Sequence, residues 1–318
     1  MIKYRSLLEI TKPYRVVESD VAEGKINHCY MLTGDDKVAI DGLITLMSEK
    51  ILCDKGGCGE CATCMKIEDG NHEDVFEPKN LKAEGIREFV EQVYIKPNGK
   101  YKIMIIRELD KVDAKVQNFL LKSLEEPVDN VVFLLGAEKQ TAVLETIKSR
   151  SKKLAVLPFS RYALEDYFAK RTQEYSNRAL VKESVDCCLG SLTRCEELLK
   201  DEEYASDLTN VIFVLKDMTS TKDNLRMQQR LGIADGKLAR YLDMMQLIAG
   251  VLLKKAAGIR VDGFEKVNCL KDVFNIPALV NFNSLIIEAK SKLESNCKES
   301  YVLDNLFIKL MEVKYLCR

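Results

Sequence analysis

The sequence predicts an α/β domain built on a parallel sheet, followed by an all-helical remainder, and three observations carry that reading. Short β-branched or apolar runs recur at residues 30–33, 74–77, 101–106, 130–135 and 153–157; helical patterns lie between them; and after Pro158 the strand signals stop. Runs that are apolar on both faces and bounded by helices are how strands read when a parallel sheet is covered on both sides. At 318 residues the chain has room for two or three domains of ~150 residues or fewer. The changes of pattern divide it into an α/β domain (1–158), a set of short helices (159–207) and a set of longer amphipathic helices (208–318) such as GKLARYLDMMQLIAGVLLKKA.

The first run, YMLT, leads into TGDDKVAIDGLITLMSEKIL, a strand, a turn and a helix in the place where a phosphate loop would cradle an anion. That loop needs G-x-x-x-x-G-K-[ST]: glycines for close backbone approach, a lysine for the β- and γ-phosphates and a hydroxyl for Mg²⁺. Gly34 is present, but the last three positions are Ala39, Ile40 and Asp41, and Asp35 and Asp36 add negative charge at the mouth, with Lys37 out of register. On the motif alone, a degenerate nucleotide loop and a plain polar turn stand equal.

Next comes CDKGGCGECATC. Cys53, Cys58, Cys61 and Cys64 follow C-x4-C-x2-C-x2-C, with Gly56, Gly57 and Gly59 letting the chain curl. Four thiolates around one point make a closed structural zinc site with no position left for a reacting water. An iron–sulfur cluster uses the same ligands and ranks second, because no other redox feature accompanies it. His72, in GNHED, reads as a turn or capping residue rather than a fifth ligand. The other cysteines (Cys29, Cys187, Cys188, Cys195, Cys269, Cys297 and Cys317) read as small buried hydrophobes in a reducing compartment.

The third run, KIMII, is where a nucleotide-binding fold ends in an acidic pair whose first member holds Mg²⁺; here Arg107 precedes Glu108. A guanidinium in a divalent metal's place opposes Mg²⁺–ATP binding. In DAKVQNFLLKSLEEP, residues Val116, Phe119, Leu120 and Leu124 form one helical stripe that should pack on the sheet, and Pro127 stops the helix. Beyond the fourth run, IKSRSKKL contains Ser149-Arg150-Ser151; the residues alone favour a solvated basic run of Lys148, Arg150, Lys152 and Lys153.

Composition limits the function classes. Lys+Arg number 48 against 49 Asp+Glu, a net charge of −1, so no global positive field would hold a phosphate backbone and any nucleic-acid contact is indirect or local. The start lacks a secretory signal, and the longest apolar run, 244–253, falls short of the ~20 residues of a membrane span. A cytoplasmic protein is expected.

Taken in order, GKINHCYMLTG (24–34), the four-cysteine insertion (53–64), GNHEDV, GKYKIMIIRELDKVDAKVQNFLLKSLEEP (99–127), VVFLLGAEK and IKSRSKKL resemble the delta-prime family of bacterial DNA polymerase III clamp-loader subunits, in the AAA+ superfamily. The resemblance runs from about residue 20 to about residue 200; the helical last third matches only in size and class. It implies an AAA+-like domain with a zinc module, one structural zinc per chain, a three-helix lid and a helical collar. It implies a non-hydrolysing stator that needs no ATP or Mg²⁺ of its own, in a hetero-pentamer with gamma/tau and delta subunits, reaching the sliding clamp and primer-template DNA through that complex. It also gives Arg150 a role: relatives present the arginine of an S-R-C motif in trans to a neighbour's ATP, and here serine replaces the cysteine. Arg194, in GSLTRCEELL, matches a sensor arginine of active relatives but reads here as a structural ion pair or a helix cap. Two other classes compete: an active gamma/tau-type ATPase, and a zinc-containing nucleic-acid-binding protein.

Overall fold

The computed structural model of the chain describes residues 2–171, 177–201, 203–217, 237–261, 263–295 and 297–316. These fall into two compact units, Met1–Arg171 with Gly190–Arg194, and Thr172–Leu189 with Cys195–Arg318.

The first unit opens with helices α1 (Arg5–Leu8) and α2 (Lys12–Ala22), then alternates strand and helix: β1 (Cys29–Thr33), α3 (Lys37–Leu52), α4 (Ala62–Glu68), β2 (Val75–Phe76), α5 (Ala83–Glu91), β3 (Lys102–Ile106), α6 (Ala114–Glu125), β4 (Val131–Ala137), α7 (Glu145–Ser149), β5 (Lys152–Ala155) and α8 (Arg161–Ala169). The five strands form one sheet in the order β2-β3-β4-β1-β5, every pair parallel. Each of the five runs seen in the sequence is therefore a strand. Alternation splits the three central strands, β1, β3 and β4, between two cores: Cys29, Met31, Met104, Ile106, Phe133 and Leu135 share one cluster, while Tyr30, Leu32, Ile103, Ile105 and Leu134 are just as buried on the opposite face.

The stripe on α6 packs as its spacing demands, Leu120 and Leu124 buried and Val116 and Phe119 half-buried against the first cluster. Gln117 is buried too. Its amide donates to Val112 O (2.9 Å) and Ala142 O (3.0 Å) and accepts from Leu144 N–H (3.0 Å), so it sews the connection ahead of α7 to α6. Register aligns Thr33 with Ala137 and with Ala155, and Ile106 with Leu135. The carboxyl ends of β1, β3, β4 and β5 thus lie along one edge, where open α/β sheets place their ligands.

After β5 the chain is helical: α9 (Arg178–Cys187), α10 (Leu192–Leu199), α11 (Tyr204–Asp217), α12 (Leu238–Ala256), α13 (Ile276–Glu294) and α14 (Glu299–Leu316). Within the second unit α12 packs on α13 and α13 on α14, burying residues such as Leu242, Met245, Ile248, Phe282, Ile286 and Phe307. The expected division after residue 207 falls inside α11. Arg240 is a polar tie: Nη1 and Nη2 meet the two carboxylate oxygens of Asp201 at 2.5 and 3.0 Å, and Nε stands 2.9 Å from Asp207 Oδ2, off-line for a hydrogen bond but close enough for charge attraction.

The cysteine expectation holds in part. Cys29, Cys187, Cys188 and Cys195 are buried, whereas Cys269 and Cys297 are exposed; Cys269 lies in a short 3₁₀ turn and Cys297 just beyond α13, where no sheet or helix covers them. Cys317 lies outside the described residues.

Candidate functional site

Four sulfurs converge at one place. Cys53 ends α3, its N–H still bonded to Glu49 O (2.9 Å), Cys61 is the N-cap of α4 and Cys64 lies in that helix's first turn. Between them Gly56, Gly57 and Gly59 all have positive φ (72°, 84°, 76°), a conformation that lets the loop fold back on α3 without a Cβ penalty. Sulfurs bonded to one metal at ~2.3 Å in a tetrahedron stand ~3.8 Å apart. Here Cys53 Sγ is 3.9 Å from Cys58 Sγ and 3.6 Å from Cys61 Sγ, and all four ligand atoms lie within 4.8 Å of one another. The thiols are free rather than paired in disulfides, so the residues fit a metal ion. Burial resists ionisation of Cys53, but the N–H groups of Cys58, Gly57 and Lys55 bring its thiol down to about 6; the N–H groups of Glu60 and Cys61 lower Cys58 likewise. Backbone donors aimed at sulfur favour the thiolate that a metal needs. His72 keeps to the expected turn, its Nδ1 accepting from Asp74 N–H at 3.1 Å.

The phosphate-loop position is closed from within. Asp36 is the N-cap of α3, and its carboxylate accepts from Ala39 N–H (3.2 Å), Leu192 N–H (2.6 Å), Thr193 N–H (3.1 Å) and the Thr193 hydroxyl (2.8 Å). That hydroxyl in turn accepts from Val38 N–H at 2.9 Å. Amides at two helix N-termini are what a phosphate group would use, and a side chain of the chain itself has them. Asp36 is 6% exposed, which corrects the expectation that its charge stands at the mouth of the site; Asp35 alone is exposed there. Segment 190–194 approaches this closely because Gly190 (φ +82°) packs its backbone on Phe159, where a Cβ would stand 2.3 Å from the carbonyl oxygen.

The remaining loop positions are spent on packing and internal pairing. Ile40, in the lysine place, is 2% exposed and fits over Gly136, whose Cβ would come 2.8 Å from Ile40 Cγ2. Asp41, in the hydroxyl place, receives Arg107: Nη1 donates to Asp41 O at 2.9 Å and stands 3.8 Å from its Oδ1. Burial raises the Asp41 pKa and Arg107 opposes that. Arg107 also grips Glu77 through Nη2 (2.8 Å) and Nε (3.1 Å). Glu108 bonds Lys111 and, at 2.5 Å, Lys37, and these hydrogen bonds hold its carboxyl below the usual range. Four carboxylates (Asp36, Asp41, Glu77, Glu108) thus meet three cations (Lys37, Arg107, Lys111), a balance that repels a triphosphate.

Arg150 follows α7 as its C-cap. Its Nη2 pairs with Glu125 Oε1 at 2.7 Å and Nη1 donates to Thr146 O at 2.9 Å, leaving the side chain 34% exposed. Of the neighbouring lysines only Lys153 is exposed, as the solvated run that the residues alone suggest requires. Lys148 is buried, bonded to Gln140 O and Glu145, and Lys152 is held by Asp20 at 2.6 Å. Ser151, in the place where the resemblance leads one to expect cysteine, donates to Ile147 O at 2.8 Å and lies 3.1 Å from Cys29 Sγ, so its hydroxyl is accommodated. Arg194 departs from expectation: Ser191 supplies the cap, accepting Arg194 N–H at 3.3 Å, and among the described residues the Arg194 side chain forms no ion pair.

Sequence reasoning missed the inward turn of Asp36, although an acidic residue just before a periodic apolar run is a helix-start signal. It also missed Thr193 and Glu77, and Arg5, which lies against the cysteine loop; nothing near these in sequence announces them.

A parallel α/β domain with a strand–loop–helix after β1, its loop filled by its own carboxylate, and a four-thiol insertion define the class: an α/β protein with a phosphate-loop-like turn closed from within and a candidate metal centre. Residues 11–160 match the family described as DNA polymerase III, delta subunit. The delta-prime subunit of Bacillus subtilis (strain 168) is 23% identical over 322 residues, 94% of this chain and 95% of that one. The tau subunit of Escherichia coli (strain K12) is 32% identical over 135 residues, 40% of this chain and 21% of that one. A solved gamma-subunit-related protein of Thermotoga maritima aligns over 94% of this chain and 99% of that one, at 17% identity and a TM-score of 0.44. Residues 11–160, just under half of the chain, carry that family's domain, and along most of its length the chain is similar to a delta-prime subunit of DNA polymerase III.

Proposed function

We propose that the chain is the delta-prime stator of a bacterial clamp loader: a cytoplasmic subunit that does not hydrolyse ATP and joins gamma/tau and delta subunits in a hetero-pentamer that loads the sliding clamp onto primer-template DNA. The observation that carries this reading is the Asp36 carboxylate on the amides of Ala39, Leu192 and Thr193. Ile40 and Arg107 add to it, since one removes the phosphate-binding lysine and the other fills the metal's place. The three-part division into α/β domain, lid and collar belongs to the same reading.

Arg150 acts, in this proposal, on ATP bound by an adjacent motor subunit. An arginine supplied in trans stabilises charge on the transferred phosphoryl group and is worth ~10³–10⁵ in rate. The four cysteines hold structural zinc; four sulfur donors at near-tetrahedral spacing support zinc, which lends the insertion stability and does no catalysis. Similarity to gamma and tau subunits favours one second reading, an active ATPase. Equilibrium binding of labelled Mg²⁺–ATP to the isolated chain separates the two: no saturable binding is expected, and micromolar binding overturns the stator. Mixing the chain with delta and gamma/tau subunits should give one stoichiometric assembly on size exclusion.

A further inference from the structure

We propose that Arg5 is a positioning residue of the four-thiol centre: its guanidinium clamps the cysteine loop to both helices that carry the inner ligands and offsets the charge of the metal–thiolate group. The inference rests on the zinc reading and deepens it. Arg5 is the first residue of α1, far from the cysteines in sequence. Its Nη1 donates to Gly57 O at 3.2 Å. A Cβ placed on Gly59 would fall 2.9 Å from Nη2, so the guanidinium lies against the loop on either side of Cys58.

The same group reaches the two helices that bracket the loop. Nη2 bonds Glu49, which sits one turn before Cys53 and accepts that residue's N–H through its carbonyl. Nη2 also stands 3.7 Å from Glu68, one turn beyond Cys64 on α4. One planar fork thereby ties α3, α4 and the glycine loop together, the geometry in which Arg differs most from Lys. Charge gives a second reason. Zinc with four thiolates carries a net negative charge, and the Glu49 side chain, 0% exposed, adds another beside it. Lys50 is also near the loop, but its ammonium is engaged with Glu18 at 2.8 Å. Partners outside the ligand shell commonly change metal affinity ~10–100-fold.

A rival explanation is that Arg5 only neutralises the buried Glu49. The double variant Arg5→Gln/Glu49→Gln decides, because it removes the buried carboxylate together with its partner; Glu9, 3.3 Å from Nη1, is left to solvent and Glu68 to the Ile2 N–H at 2.9 Å. Zinc affinity of the full chain is measured by competition with a chromogenic chelator, with circular dichroism as the check on folding. The clamp predicts zinc held ~10–100-fold more weakly in the double variant and an intermediate loss in Arg5→Lys, which keeps the charge but not the fork. A folded double variant that holds zinc within about threefold of the parent overturns the proposal. Should the double variant fail to fold even with zinc, Arg5→Lys decides alone, and unchanged affinity there overturns it equally. If the parent chain itself retains no zinc, the metal reading fails first and the clamp with it.

Discussion

Asp36→Ala tests the closed phosphate loop directly. The substitution takes away four accepted hydrogen bonds, three from backbone amides and one from Thr193. Losing the cap of α3 costs ~1 kcal/mol. Leu192 N–H, in a fully buried residue, is then left without its acceptor at a further ~1–3 kcal/mol. A total of ~2–4 kcal/mol is a large fraction of the ~5–15 kcal/mol that holds a domain together. For a unit of this size, ~2–4 °C per kcal/mol puts the fall in melting temperature at ~4–16 °C, read by circular dichroism. Hydrogen exchange should quicken at Leu192 and Thr193. Asp36→Asn, which keeps one oxygen acceptor but loses the charge, should lose less. Neither variant should bind ATP, because Ile40 and Arg107 remain. A melting temperature for Asp36→Ala within about 2 °C of the parent, with unchanged exchange at Leu192, would refute the argument that this carboxylate holds the two helix ends together.

Arg150→Ala should leave the fold within ~1 kcal/mol of the parent, since its pair with Glu125 is partly exposed, yet lower clamp-stimulated ATP turnover of a reconstituted loader; unchanged turnover and loading refute the trans role. Arg240→Ala should destabilise the second unit by ~2 kcal/mol at neutral pH, a partly exposed version of a broken buried pair. Hydrogen bonding to Arg240 lowers the Asp201 pKa, so that contribution is present above the unfolded carboxylate pKa and lost as pH falls through the lower folded value; denaturant melts across acidic pH should show variant and parent converging, and a pH-independent gap refutes the linkage. Mass-mapped alkylation of the native chain should label Cys269 and Cys297 quickly and spare Cys29 and Cys187, which burial raises to about 12. Fast labelling of Cys29 would contradict its place in the sheet.

The strands are legible because the three central ones are apolar on both faces and all five are bounded by helical patterns, and the cysteine centre because its ligands and its glycines share twelve consecutive positions. What the sequence left open is what depends on contacts between distant residues. Asp36 and Thr193 meet across 157 positions, and no local pattern links them; from residues 35–36 alone the charges look outward, although only Asp35 is exposed. Lys148 and Lys152 look like a basic run until Gln140, Glu145 and Asp20 arrive to pair with them. Cys269 and Cys297 were misjudged for the opposite reason: their types suggest burial, but each lies where the chain makes a turn at the surface.

These pairings bear on whether Arg150 can leave its own domain to serve a neighbour. Its bond to Glu125 is one between partly exposed side chains, worth ~0.2–1 kcal/mol. A trans arginine that accelerates phosphoryl transfer ~10³–10⁵-fold contributes ~4–7 kcal/mol to the transition state. The smaller quantity cannot hold back the larger, so under the proposed trans role the pair with Glu125 would cost little to give up. Asp36 is the contrasting case. Its four bonds are buried or partly buried, and the ~2–4 kcal/mol they contribute would have to be surrendered before any phosphate could enter, into a loop where Ile40 and Arg107 offer nothing in exchange. The same chain thus keeps one charged group cheap to release and another costly. On the stator reading proposed above, that difference, more than any missing motif, is what would let such a subunit assist ATP hydrolysis next door while holding none of its own.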